Sequence, residues 1–207
     1  MMSIVETERG KRADAVRNRD AIMDAALRCL AENPEASMSE IAQAASVGRV
    51  TLYGHFSSRD ELVDAVFERT MGNAEARLSE LDLRGNAAQA MQRLVRSSWH
   101  IVAESQALLA VAERVLGSDR VVAHHYRPMQ RVAGLIKRGQ AEGDFRKDHP
   151  IAWLTTCFHT VLHAGAAAVR SAQMSEEEAA RIIPETVMAA LSAKPLSAGT
   201  KPGRTQR

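Results

Sequence analysis

Residues 45–56, ASVGRVTLYGHF, crowd Arg49, Thr51, Tyr53 and His55 into twelve positions that are otherwise small or apolar. All four side chains hydrogen-bond and one carries a fixed charge, yet no nucleophile, base and orienting group stand together here. The chemistry open to them is recognition: an arginine fork suits guanine edges, while hydroxyl and imidazole groups suit base edges or phosphates. Elsewhere, His159 and His163 stand at i and i+4, on one helix face, a spacing that can serve two metal ligands. No HExxH glutamate accompanies them and no nearby Cys or Asp completes a tetrahedral set, so the favoured reading is an interface or pocket role without metal or cofactor. A metal-dependent enzyme or metal sensor built on this pair is the weaker alternative. No Gly-rich phosphate loop, G-x-S-x-G elbow or zinc-protease motif is present, and the reading is that the chain is not an enzyme.

Helices must position these residues. From residue 17 onward apolar residues recur at helical spacing, with no sustained strand alternation, so the expected fold is all-α. Ile22, Ala26, Cys29 and Leu30 line a first helix ending near Pro34. Ser37 and Glu40 form an S-x-x-E capping box opening a second helix, interrupted at Ser46 and Gly48, with Val47 turned inward. A third helix of about six residues closes at Gly54, and Ser57 or Ser58 caps a fourth that carries Leu62, Val63, Val66 and Phe67. Helix, tight turn and helix make a helix-turn-helix. Farther along, separate helices are expected around Met91–Val102 and Leu108–Leu116. Another spans Val121–Glu142, broken or kinked at Pro128; one starts with Pro150 in its first position; a last opens at Ser175 and breaks or kinks at Pro184.

Composition narrows the partners. A net charge of +2 leaves no bulk positive field, so a nucleic-acid site must be local. Cys29 and Cys157 are far apart and outside any metal-type spacing. The longest apolar run, AGAAAV at 164–169, is far short of the roughly 20 residues of a membrane span. The N-terminal stretch lacks the apolar centre of a secretory signal, and the expectation is a cytoplasmic protein.

IMDAALRCLAEN, SMSEIAQAASV and TLYGHFSSRDEL, in that order and spacing, resemble the DNA-binding domain of the TetR family of bacterial transcriptional regulators over residues 19–62. The resemblance implies an N-terminal three-helix helix-turn-helix domain and a C-terminal helical domain for ligand binding and dimerisation. The expected division is a flexible arm at 1–16, the DNA-binding domain at 17–60 with a fourth helix connecting to about 75, the second domain at 76–193, and a disordered tail at 194–207. The arm's Arg9, Lys11, Arg12, Arg17 and Arg19 are offset by acidic neighbours, which favours a solvated segment over a DNA contact. The implied DNA-binding residues are Ser37, Arg49, Val50, Thr51, Tyr53, His55 and Arg59, with Arg49 reading bases and Ser37, Tyr53, His55 and Arg59 at phosphate-binding positions. Val50 stands where the family often has glycine, and could meet a thymine methyl or simply pack. Where the family usually has Gly-Val-Ser, this chain has Ser46, Val47 and Gly48.

The family's second domain binds a small molecule among its middle helices. Candidate lining residues are Trp99, His100, His125, Tyr126, Trp153, Cys157, Phe158 and His159, and nothing in them names the ligand. The last two helices are expected to pair with a second copy through the small residues of 164–168, with Leu162, Gly165, Ala166, Val169, Ile182, Val187 and Leu191 as interface candidates. The reading is a homodimeric repressor of a palindromic operator, released by a small-molecule effector, with no membrane partner. A helical adaptor with lapsed DNA binding is the alternative.

Overall fold

The computed structural model describes residues 2–193, with side chains from Ala13 onward apart from those of Ser118 and Val122. The expected disordered tail lies outside the described residues. Among them the elements run α1 (Met2–Glu32), α2 (Met38–Ala44), α3 (Arg49–His55), α4 (Arg59–Ser79), α5 (Ala87–Leu116), α6 (Ser118–Glu142), α7 (Ile151–Arg170) and α8 (Glu176–Leu191), with no strand.

Five helices depart from the sequence expectation, each for a local reason. α1 already begins at Met2, so the segment expected as a flexible arm is helical. It lacks proline, and Asp14 and Arg17 pair across one turn of it. α5 is continuous from Ala87 to Leu116, where two helices were expected; the polar interval between its apolar stripes contains neither glycine nor proline to stop it. α6 and α8 run through Pro128 and Pro184, each giving up one internal N–H without ending. Pro150 is the N-cap of α7, one position outside the helix.

The chain divides into two units. One comprises residues up to Glu80 together with His100–Pro128; the other comprises Leu81–Trp99 with the residues from Met129 on. α5 and α6 thus contribute to both, and the boundary departs from a single cut near residue 76.

The first unit is held by one apolar cluster. Ile22, Ala26 and Leu30 of α1, Ile41 of α2, Leu52 and Phe56 of α3, and Leu62, Val66 and Phe67 of α4 pack with Leu108 and Ala112 of α5 and Val121 of α6. Burial of each large side chain contributes about 1.5–3 kcal/mol. Polar ties run outside this core: Arg69 to Asp24 at 2.7 Å, Arg77 to Glu104 at 2.6 Å, and Arg120 to Asp64. These pairs are partly exposed, each worth at most about 1 kcal/mol, and they orient α4 more than they stabilise it.

In the second unit α7 packs on α8. Glycines make two of its close approaches possible. A Cβ on Gly139 would lie 2.1 Å from Cδ2 of Phe145, and one on Gly165 would lie 2.3 Å from Cδ1 of Ile183. The start of α5 is capped by acceptors from the α6 end: the Ala87 amide donates to Glu142 at 3.0 Å and the Asn86 side chain to Asp144 at 2.8 Å. An isolated antiparallel bridge between Phe145 and Ser192 fastens the end of α8.

Candidate nucleic-acid interface

The local sequence builds α2 and α3 in sequence order. At the start of α2 the Ser37 hydroxyl accepts from the Glu40 amide at 3.3 Å while the Glu40 carboxylate accepts from the Ser37 amide at 2.7 Å, completing the capping box. Hydrogen bonding to its carboxylate from the Ser37 side chain and then the Ser37 amide holds the Glu40 carboxyl below its ordinary pKa. At the other end, the Ser46 and Val47 amides donate to the Gln43 and Ala42 carbonyls, both at 3.0 Å, which is a Schellman ending. Ser46 adopts φ 56°, the left-handed conformation that usually calls for glycine. Here glycine comes two residues later, at Gly48, which caps α3 with backbone only.

α3 buries one edge and exposes the rest. Leu52 and, just past the helix end, Phe56 are buried, with the Arg19 guanidinium 5.1 Å from the Phe56 ring centroid. Arg49, Val50 and Tyr53 are exposed, Val50 to 88 % and Tyr53 to 46 %, while Thr51 and His55 are half-buried. Ser37 is exposed and Arg59 half-buried. All seven sequence-derived candidates therefore reach the surface of one short segment, between the start of α2 and the start of α4. Ser58 caps α4, accepting from the Glu61 amide at 3.1 Å, and Ser57 donates to the Glu61 carboxylate from its hydroxyl and its amide.

A seven-residue helix held by two side chains on one edge, with a protruding arginine, valine and tyrosine, can lie in a major groove roughly 12 Å wide. Residues 22–66, spanning the end of α1 through the start of α4, match the model of bacterial regulatory proteins, tetR family. Over that stretch the chain resembles the TetR family. Over 149 residues it is 26 % identical to the HTH-type transcriptional repressor LfrR of Mycolicibacterium smegmatis, covering 72 % of this chain and 77 % of that protein. The crystal structure of LfrR in complex with proflavine superposes with a TM-score of 0.68 at 23 % identity, over 84 % of this chain and 96 % of that one. The fatty acid degradation regulator FadR of Bacillus halodurans has the same fold, with a TM-score of 0.72 at 18 % identity over 84 % and 94 % of the two chains. Both of these similar proteins are named as regulators.

The residues proposed for ligand binding fall in both units. In the second unit Trp99 and Phe158 are buried, Cys157 and His159 half-buried and Trp153 56 % exposed; the rings of His159 and His163 lie 4.1 Å apart. In the first unit His100 and Tyr126 are exposed, and His125 is half-buried with Nδ1 2.8 Å from the Val121 carbonyl oxygen. The exposed His100, Tyr126 and Trp153 are not part of the chain's buried interior.

The interface candidates on α7 and α8 need correction. Leu162, Gly165, Ala166, Val187 and Leu191 are buried within the single chain, where Gly165 receives Ile183; only Val169 and Ile182 are half-buried. The apolar stripe that periodicity marks is each helix's own core face, and a seam with a second copy needs the opposite side.

Two arginines outside the expected set bear on the interface. Arg19 covers Phe56, and Arg114, at the end of α5, donates to the Pro34 carbonyl at 3.1 Å in the loop before Ser37. No motif marks Arg114, because its partner is 80 residues away.

Proposed function

We propose that this chain is a homodimeric transcriptional repressor that binds a palindromic duplex through residues 37–59 and leaves it when a small molecule binds its C-terminal helices. The observation that carries the reading is the exposed side of α3, where Arg49, Val50 and Tyr53 protrude from a helix anchored by Leu52. Arg49 reads base edges; Ser37, Tyr53 and His55 hold phosphates and fix the register.

The second copy docks on the outer side of α7. Trp153, Thr156, Thr160 and Ala164 are exposed at successive helical spacing, and α7 carries no Asp, Glu, Lys or Arg from Ile151 to Val169. A long uncharged exposed face supports a partner that covers it, and a two-fold dimer gives a module that reads short half-sites its palindrome. LfrR is named a repressor and is seen with proflavine, and FadR of Bacillus subtilis is seen with stearoyl-CoA; both support an effector with a large apolar part.

Selection of bound duplexes from a random pool, followed by titration of Tyr53→Phe and Arg49→Ala, tests the reading. One palindrome should be enriched. Tyr53→Phe should weaken all its variants alike, by about 0.5–1.5 kcal/mol, at unchanged thermal stability. Arg49→Ala should cost about 1–3 kcal/mol and relax one position of each half-site. Failure to enrich any duplex would leave a helical adaptor.

A further inference from the structure

Arg59 stands at a phosphate-binding position of the family, yet its guanidinium is turned onto the backbone of its own domain. Its Nε donates to the Ala36 carbonyl at 3.2 Å and its Nη2 to the Pro34 carbonyl at 2.6 Å. Arg114 reaches the same Pro34 oxygen from the end of α5 at 3.1 Å and pairs with the adjacent Glu35. Two guanidinium groups, from α4 and α5, thus share one carbonyl in the loop between α1 and α2.

That loop is short and internally folded. The Glu35 amide donates to the Asn33 side chain at 3.0 Å, and the Ala36 amide to the Asn33 carbonyl at 2.9 Å. It leads directly into Ser37 and α2, which packs on α3. A planar fork can hold two acceptors in fixed geometry, whereas an ammonium is a point charge on a flexible stem.

We propose that Arg59 and Arg114 are positioning residues for DNA binding: together they grip the Pro34 carbonyl and so fix the loop that sets α2, and through it α3, against the duplex. The proposal rests on the DNA-binding reading above. It assigns Arg59 a role that the family's usual lysine at this position cannot fill, and it gives α5 a direct hold on the recognition unit. Neither arginine spends a counterion-releasing contact on the operator.

The test uses the full chain and the duplex that the wild-type protein selects, titrated between about 50 and 200 mM salt, with thermal unfolding measured alongside. Arg114→Ala and Arg59→Ala should each weaken binding about three- to tenfold, the range of one ordinary hydrogen bond's net contribution, since the bonds lost lie in the loop and not on the duplex. The slope of log affinity against log salt should stay at its wild-type value, because a lost phosphate contact would lower it by about 0.9 per site. Arg59→Lys should bind as weakly as Arg59→Ala. The proposal is overturned if lysine restores wild-type affinity, if the alanine variants flatten the salt slope, or if Arg114→Ala binds normally. It is equally overturned if either variant unfolds several degrees earlier while its folded fraction binds as wild type. If the wild-type protein selects no duplex, the DNA-binding reading itself has failed, an outcome distinct from all of these.

Discussion

Gly165 and Ile183 occupy one another's space: a Cβ on the glycine would fall 2.3 Å from Cδ1 and 2.8 Å from Cγ1 of the isoleucine. Both residues are buried in α7 and α8. Gly165→Ala should therefore destabilise the fold by about 1 kcal/mol, overpacking outweighing the better helix propensity of alanine. Adding Ile183→Val, which removes Cδ1, should recover part of that loss. Thermal denaturation of the two variants and the double variant decides it, and an additive pair would mean that α7 and α8 shift apart freely.

The outer side of α7 is the place to test dimerisation without touching that packing. Ala164 is exposed and Gly165 beside it is not. Ala164→Arg should give a folded monomer by sedimentation, because a guanidinium in a covered seam has no partner. Thr160→Arg, on the same face, should behave alike. A stable dimer in both variants would move the seam off α7.

Val50, 88 % exposed, has no packing role to account for it. Its methyls are expected to meet a thymine C5-methyl in the half-site. Replacing that thymine by deoxyuridine should weaken wild-type binding by about 0.8 kcal/mol, the worth of one buried carbon. Val50→Ala should be nearly indifferent to the same replacement. Equal sensitivity of the two proteins at every thymine would deny the contact.

The turn between α2 and α3 carries a removable strain. Ser46 holds φ 56° while Gly48 caps α3 without a side chain. A Cβ on Gly48 would meet nothing closer than Oγ1 of Thr51, at 3.8 Å. The exchange Ser46→Gly with Gly48→Ser should raise stability by about 0.5–1.5 kcal/mol, from relieved left-handed strain and a new cap. Chemical denaturation measures it, and a loss would show that the Ser46 side chain contributes something its geometry does not reveal.

Acid should loosen the starts of α2 and α4. The Ser57 hydroxyl and amide hold the Glu61 carboxyl below its ordinary value of 4.5, as Ser37 does for Glu40. A carboxylate with a lowered folded pKa stabilises fully above the unfolded value, and that stabilisation disappears as pH falls through the folded one. Thermal stability should thus fall more steeply below about pH 4.5 in wild type than in the Glu40→Gln, Glu61→Gln double variant. Parallel curves for the two proteins would contradict this.

The parts legible in the sequence are those fixed by neighbours in the chain. Ser37 and Glu40 lie within one turn, and Ser46 and Val47 close the same helix, so motif and geometry coincide there. The inward role of Leu52 and Phe56 follows from periodicity in the same way. α5 was split in expectation because its apolar stripe lapses in the middle, while helix propensity alone carries it through. The grip of Arg114 on Pro34 had no local signal. The two sides of α7 were confused for another reason: with no Asp, Glu, Lys or Arg from Ile151 to Val169, nothing in the pattern distinguishes the side facing its own chain from the other.

The first unit is assembled from two separated stretches of sequence, since Leu108, Ala112 and Val121 share a core with α1 to α4 and the Phe67 ring meets the edge of His124 at a centroid distance of 5.3 Å. Recombination at a single crossover near residue 80 would bring a foreign head onto α5 and α6 surfaces shaped for this one. The reading head is thus inherited as a matched set, and a working chimera must transplant His100–Pro128 along with it.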